Sequence, residues 1–317
     1  MGTAASDYDV LVIGRPSWDL VFTELPDWPM VGREVFAQGL TLSPGGTFNS
    51  VAALARLGVS VGMIGTVGDD EWSRLSLDAM ASEGVSTNLM AVLDQPMPAV
   101  SICMTYGGDR GFLTYEPTNP ELAGRCVAHA LNVLKRQRAG FLQCCLNPDL
   151  AAYAQALNGI DTRLIVDCGW DEPWLTGTEI RTLMPLADIV FMNELEARAI
   201  GGRERLDPAL GVLARIVDFL VVKRGEHGAT AIVDGVRYDV PAFPAEVVDA
   251  TGAGDCFNAG FLYGLLKDRA IEECLRLGNI CGASAVGAPG GFAGAPAEGE
   301  LLERERSWSP LGAVSAR

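Results

Sequence analysis

A chain of 317 residues, 49% of them apolar, has material for one large core or two smaller ones. Its 24 basic residues stand against 40 acidic ones, a formal charge of −16. That balance argues against nucleic acid or an anionic membrane surface as a partner, because both contacts need clustered Lys and Arg. Only two histidines occur, His129 and His227, and none of the eight cysteines forms a C-x-x-C pair. A zinc site or a Ser-His-Asp triad therefore lacks raw material, and the cysteines read as reduced core residues.

The first nine residues carry no basic n-region, and the apolar run 10–13 is too short for a signal sequence or a membrane span, so a cytoplasmic chain is expected. Gly2 and Ser6 match a myristoylation pattern, with a frayed terminus as the alternative. Apolar and β-branched runs predict strands at 9–13, 60–65, 163–167, 188–192, 218–223 and 229–233. Between them, helices are expected at 48–57, 70–83, 149–157, 177–187, 193–200, 254–267 and 270–287. This alternation implies a βαβ chain with a mostly parallel sheet covered by helices. Two stretches interrupt it. Residues 99–115 alternate as a hairpin, and the proline-punctuated excursion 15–44 follows the first strand; together they suggest a small β lid inserted in a single domain spanning 1–317.

There is no G-x-x-x-x-G-K-[ST], which excludes a P-loop, and no G-x-G-x-x-G after the first strand, which leaves a dinucleotide site little support. The strongest local signal is DATGAGD, residues 249–255. If Gly252, Ala253 and Gly254 turn into a helix, their amides converge where a transferring phosphoryl group would gather charge, and Asp255 lies close enough to take a proton from an attacking hydroxyl. The same carboxylate could merely complement the helix dipole. A second signal is LSPGGTFNSVAALARLG, where Gly45 and Gly46 permit close backbone approach and Asn49 either presents an amide to hydroxyls or caps the helix. Asp19, just past the first strand, suits a polyol or is a solvated turn residue.

Taken together, the Gly-Gly-x-x-Asn helix start, N-E-L-E at 193–196, V-V-K-R-G around 223 and D-A-T-G-A-G-D at 249–255 resemble, in order and spacing, the ribokinase-like (PfkB) carbohydrate and nucleoside kinases. The resemblance covers roughly residues 8–300. It implies a three-layer α/β/α fold with a β-sheet lid, and ATP with Mg²⁺ as cofactors. Asp255 would be the catalytic base, with Gly252, Ala253 and Gly254 as the anion hole. Asn193 and Glu196 match the pair that organises Mg²⁺ through water; Lys223, Gly225 and Asn279 match nucleotide-bordering positions. Asp249 falls where many relatives hold a monovalent cation such as K⁺. Asp19, Gly45, Gly46 and Asn49 match the hydroxyl-binding positions, and Arg110 in the lid hairpin is either a closing residue or a solvated tip.

Two departures bear on the acceptor. After the strand ending at Asp167 the chain reads DCGWDEPW, without the Asn and Arg of several family sugar kinases; Trp18, Phe48 and Trp170 would instead line the pocket with flat apolar surface, or pack in the core. No Lys or Arg lies between Pro44 and Ala55, which favours an unphosphorylated acceptor. The expectation is an ATP-dependent kinase acting on a small sugar, with a nucleoside kinase or an inactive ligand sensor as alternatives and a homodimer through the lid edge as a possible assembly.

Overall fold

The central strands owe their burial to runs with no polar face. In the computed structural model, which describes residues 7–97, 99–107, 109–116 and 120–308 except for the side chains of Asp109 and Arg110, Ile189, Val190, Phe191 and Met192 are all fully buried. A strand covered on both sides belongs inside a parallel sheet with helices on each face. In chain order the strands are β1 (Tyr8–Ile13), β2 (Pro16–Thr23), β3 (Gly39–Gly46), β4 (Val61–Val67), β5 (Met90–Val92), β6 (Val100–Tyr106), β7 (Asp109–Tyr115), β8 (Ala139–Cys145), β9 (Arg163–Asp167), β10 (Ile189–Asn193), β11 (Phe219–Lys223), β12 (Ala229–Val233) and β13 (Val236–Val240).

Nine of these form one sheet in the order β13-β12-β11-β10-β9-β8-β1-β4-β5. It is parallel from β11 through β5, and only at one edge are the pairings antiparallel, β12 with β11 and with β13. Side chains alternate between two apolar clusters, one per face. Val10, Val12 and Phe191 pack with helices Phe48–Arg56, Ala253–Leu266 and Ile271–Ala285, whereas Leu11, Val190 and Met192 pack with Pro120–Leu134, Leu150–Ala156 and Glu194–Gly201. The three layers implied by the sequence are therefore present. Because β1 is flanked by β4 on one side and β8 on the other, the strand order reverses there, and the carboxyl ends of β1, β8, β9, β10 and β11 open on one crevice, the usual place for a ligand in such sheets.

The remaining four strands form a second sheet, β3-β2-β6-β7, built from the excursion and the hairpin that break the βαβ rhythm. Its outward side chains leave Leu40, Leu42, Leu113 and Tyr115 more than half exposed.

Differences from the expected elements have local causes. The helix expected at 177–187 is shortened to Glu179–Leu183 and closes in a 3₁₀ turn Met184–Leu186, because Pro185 cannot donate within a continuing helix, and the short helix Glu172–Thr176 before it was not expected. Strand β8 was not expected: its run AGFLQCC carries Gln143 in mid-strand, yet that side chain is 5% exposed in the centre of the sheet. Helices Pro120–Leu134, Leu206–Leu213 and Glu298–Ser307 were also unforeseen. Among the described residues none of the eight cysteines is in a disulfide; six are buried as expected, while Cys126 is half-buried and Cys145 exposed. The Gly2 and Ser6 pattern lies outside the described residues. Among the described residues no helix is long and apolar enough to cross a membrane.

Candidate active site

The helix Ala253–Leu266 begins at a residue that only glycine can occupy. Gly252 has φ +66° and ψ 0°, and a Cβ there would lie 2.0 Å from the carbonyl oxygen of Gly291. The first helical bond runs from the Cys256 N–H to the Gly252 carbonyl at 2.9 Å. Ahead of it, the amides of Gly252, Ala253 and Gly254 find no acceptor among the described residues. Unpaired amides at the positive end of a 14-residue helix form an anion site. Ala253 and Gly254 open into a cavity of about 660 Å³.

Asp255, the next residue, faces a different cavity, of about 490 Å³. Its Oδ1 accepts a hydrogen bond from the Ser50 hydroxyl at 2.7 Å, and the Gln143 amide donates to Ser50 in turn at 3.4 Å. Burial pushes the Asp255 carboxyl up to about 6; the charge of Asp167 adds to this, while Ser50, Lys223 and Asn49 oppose it. The helix mouth is thus the wall between two chambers, with amides on one side and an acid on the other.

The larger chamber gathers every residue expected on the nucleotide side: Asn193, Glu196, Lys223, Gly225 and Asn279 all line it. Asn193 and Glu196 form a reciprocal capping box, Asn193 Oδ1 accepting from the Glu196 N–H at 2.9 Å and Glu196 Oε2 from the Asn193 N–H at 2.7 Å. Burial drives the Glu196 carboxyl up to about 7, with Asp167 adding to the rise. Asn279 donates to the carbonyl of Pro241 at 2.8 Å, so its amide ties helix Ile271–Ala285 to the end of β13 while lining the chamber.

Between the chambers lies a partly buried ion pair placed by sheet register. Asn193 on β10 is opposite Lys223 on β11, and Asp167 ends β9 one strand further. Lys223 Nζ donates to both Asp167 oxygens at 2.9 Å and to Asn258 Oδ1 at 3.3 Å, and Asn258 Nδ2 donates back to Asp167 Oδ2 at 2.6 Å. Burial works against the ammonium, but the charge and hydrogen bonds of Asp167 outweigh it and raise the Lys223 pKa. Lys223 lines the larger chamber and Asp167 the smaller. The ammonium also lies 3.2 Å from where a Cβ on Gly254 would project.

On the acceptor side the expectations separate. Gly46 lines the smaller chamber, with Val100, Ser101 and Thr114 of the second sheet forming its roof. Asp19, Gly45 and Asn49 line neither chamber. Asp19 is 9% exposed, its carboxylate set against Gly45, and burial, aided by Asp249, pushes it up to about 6. Asn49 is 3% exposed beneath the turn at Gly291, and its Oδ1 has no hydrogen-bond partner among the described residues. Asp249 accepts from the Thr251 N–H and hydroxyl and from the Gly290 N–H, stapling two loops together. Arg110 pairs with Thr105 through its backbone in the hairpin, and its side chain lies outside the described residues.

Of the two readings for the aromatics, core packing holds for Trp18 and Phe48. Trp18 is buried with its indole N–H on the Ser76 hydroxyl, Phe48 packs edge-on against Phe292 in the core, and Trp170 is 58% exposed; none of the three lines either chamber. Conversely, the cation count between Pro44 and Ala55 overlooked Arg15, which lines the smaller chamber and pairs with Glu116 at 3.0 Å. Ser50 and Asn258 were also missed. Each had a signal: Asn258 stands one helical turn after Asp255, and Ser50 follows Asn49 in the glycine motif.

Comparison with known proteins accords with this architecture. Residues 9–298 match the model of the pfkB family of carbohydrate kinases, and the chain belongs to that family. Among curated relatives, it is 27% identical to a ribokinase of Bacillus subtilis over 93% of this chain and 98% of the other. It is 30% identical to an ATP-dependent ribose-1-phosphate kinase of Halopiger xanaduensis, covering 89% of this chain and 93% of the relative. A crystal structure of a putative ribokinase II from E. coli in complex with ATP and Mg²⁺ superposes with a TM-score of 0.81 at 22% identity, over 95% of this chain and all of that one.

Proposed function

We propose that the protein transfers the γ-phosphoryl group of ATP, with Mg²⁺, to a hydroxyl of a small unphosphorylated sugar. The observation that carries this reading is the placement of consecutive residues of one helix end in two adjoining chambers, Ala253 and Gly254 in one and Asp255 in the other. A nucleotide in the larger chamber would present its terminal phosphate to the unpaired amides, and an acceptor in the smaller one would place a hydroxyl against Asp255.

Asp255 takes the hydroxyl proton as the acceptor oxygen bonds to the γ-phosphorus and the bond from that phosphorus to the β,γ-bridging oxygen breaks, ADP being the leaving group; a carboxyl raised to about 6 is a stronger base than an ordinary aspartate and is still ionised near neutrality. The amides of Gly252, Ala253 and Gly254 stabilise charge developing on the transferred group. Lys223, held by Asp167 and Asn258, supplies a fixed positive charge beside that mouth. The roof from the second sheet limits water, which would otherwise compete as acceptor.

The residues suit magnesium. Asn193 Oδ1 and Glu196 Oε2 are committed to the capping box, which leaves the other Glu196 carboxylate oxygen, and Mg²⁺ commonly retains several waters with one or two carboxylates. Bound there, it would neutralise phosphate charge. Among the described residues no cluster of three acidic, His or Cys side chains forms a closed metal cage. Asp249 and the loop at Gly290 are where K⁺ would act if turnover depends on a monovalent cation.

The acceptor is read as unphosphorylated because Glu116 offsets Arg15, the only Lys or Arg lining the smaller chamber among the described residues. The ribose-1-phosphate kinase relative takes, by its name, a phosphorylated acceptor, so both kinds belong in the test. Free sugars, nucleosides and sugar phosphates are assayed for acceptor-dependent ADP release. A free sugar is expected to be the best acceptor. Preference for a sugar phosphate or a nucleoside would overturn the acceptor assignment, and no release with any acceptor would overturn the kinase reading.

A further inference from the structure

We propose that Arg56 is a positioning residue for phosphoryl transfer, its guanidinium clamping the turn segment 290–295 whose backbone sets the Gly252 helix mouth. The inference rests on the kinase reading above.

Arg56 closes the helix whose start carries Asn49 and Ser50. Its Nε and Nη2 form a bidentate pair with Glu83 at 2.8 and 2.9 Å. Its Nη1 donates to the carbonyls of Phe292 and Ala293 at 3.1 Å and of Ala295 at 3.2 Å. The cation also lies 4.8 Å over the Phe292 ring, which packs against Phe48 at 4.9 Å. Within the segment only the Phe292 carbonyl accepts a backbone hydrogen bond among the described residues, from the Ala295 N–H at 2.8 Å, and Nη1 of the guanidinium reaches all three carbonyls while the rest of the fork holds Glu83. Lysine keeps the charge but cannot hold Glu83 and three carbonyls together.

The other end of the segment touches the site at three points. The Gly290 N–H donates to Asp249 at 3.0 Å; Gly291 lies backbone to backbone against Gly252; and the side chain of Asn49 fills the space where a Gly291 Cβ would project. Moving this segment moves the floor under the mouth. Arg56 lines neither chamber, so it acts only through the segment. Displacements of about 1 Å at a reacting centre cost on the order of a hundredfold in rate, so a clamp at this distance matters.

The test uses the full chain and two probes, Mg·ADP and Mg·AMP-PNP, titrated calorimetrically into wild type, Arg56→Lys, Arg56→Ala, Glu83→Gln and Arg269→Ala. Arg269 is a control clamp, pairing with Glu273 and Glu305 and lining neither chamber. Arg56→Ala is expected to weaken AMP-PNP relative to ADP by about tenfold, because only the analogue reaches the mouth, with Arg56→Lys and Glu83→Gln intermediate. Arg269→Ala should lower Tm and leave the ratio at the wild-type value. An unchanged ratio in the Arg56 and Glu83 variants, or the same change in Arg269→Ala, would overturn the inference. Should Arg56→Ala fail to fold, Arg56→Lys and Glu83→Gln carry the test. Wild type that binds neither probe would refute the kinase reading itself, an outcome visible before any variant is measured.

Discussion

Removing Asp167 should expose how the ion pair between the chambers is held. Lys223 and Asp167 side chains are 15% and 20% exposed, and the ammonium makes two 2.9 Å contacts to the carboxylate. Breaking one partner of a buried pair costs about 3–5 kcal/mol, because the survivor stays desolvated and unmatched; residual exposure puts this pair at about 3 kcal/mol. For a chain of 317 residues that corresponds to a Tm loss of roughly 4–5 °C. Asp167→Asn should show the full loss. Lys223→Met should show slightly less, since Asn258 still donates to Asp167 at 2.6 Å. The double variant removes both charges and should be less destabilised than the sum of the singles by at least about 1.5 kcal/mol. Urea unfolding at pH 7.5 and thermal scans measure all three. Singles within about 0.5 kcal/mol of wild type, or strict additivity, would refute the reasoning.

Three further outcomes follow from the same geometry. The Glu196 carboxyl, at about 7 when folded against an ordinary 4.5, favours the fold while protonated, and that contribution is lost as pH rises through 7. Glu196→Gln keeps an acceptor for the Asn193 N–H, so it should raise stability at pH 8.5, by at most about 3 kcal/mol, and leave it unchanged at pH 4; an equal effect at both pH values speaks against the assignment. Gly252→Ala forces a left-handed backbone costing about 1–2 kcal/mol and a clash with the Gly291 carbonyl, so urea unfolding should find it destabilised and turnover should fall; a variant as stable as wild type counts against the mouth geometry. If Asp255 acts ionised, kcat/KM should climb with pH through about 6 and level off above it, and a profile flat from pH 5 to 7 would contradict the base role.

Much of the layered fold was legible because β-branched runs such as FLVVK and IVFMN leave little alternative to buried parallel strands. The helix mouth was legible for a related reason: a left-handed glycine directly before an apolar helix is a local constraint written in adjacent residues. What escaped was set by register or by distant packing. The pairing of Lys223 with Asp167 depends on β9, β10 and β11 lying side by side, which no local pattern states. Arg15 was overlooked because the search for cations followed the chain from Pro44 to Ala55, whereas the chamber is built from the end of β1, the second sheet and β8. Whether Trp18 and Phe48 line a pocket or pack in the core was not legible because their partners, Ser76 and Phe292, lie 58 and 244 positions away. Gln143 hid β8 because a polar residue in mid-strand masks a buried run unless its hydrogen-bond partner, here Ser50, is known.

The central claim, that the acid on one side of the mouth takes the proton of a hydroxyl attacking the phosphate on the other, is tested most directly by Asp255→Asn. The substitution conserves shape and the capacity to accept from Ser50. With the best acceptor from the panel, kcat should fall by about a hundredfold to ten-thousandfold while Mg·AMP-PNP affinity stays within about threefold of wild type. A variant that keeps more than about a tenth of the wild-type kcat would contradict the claim.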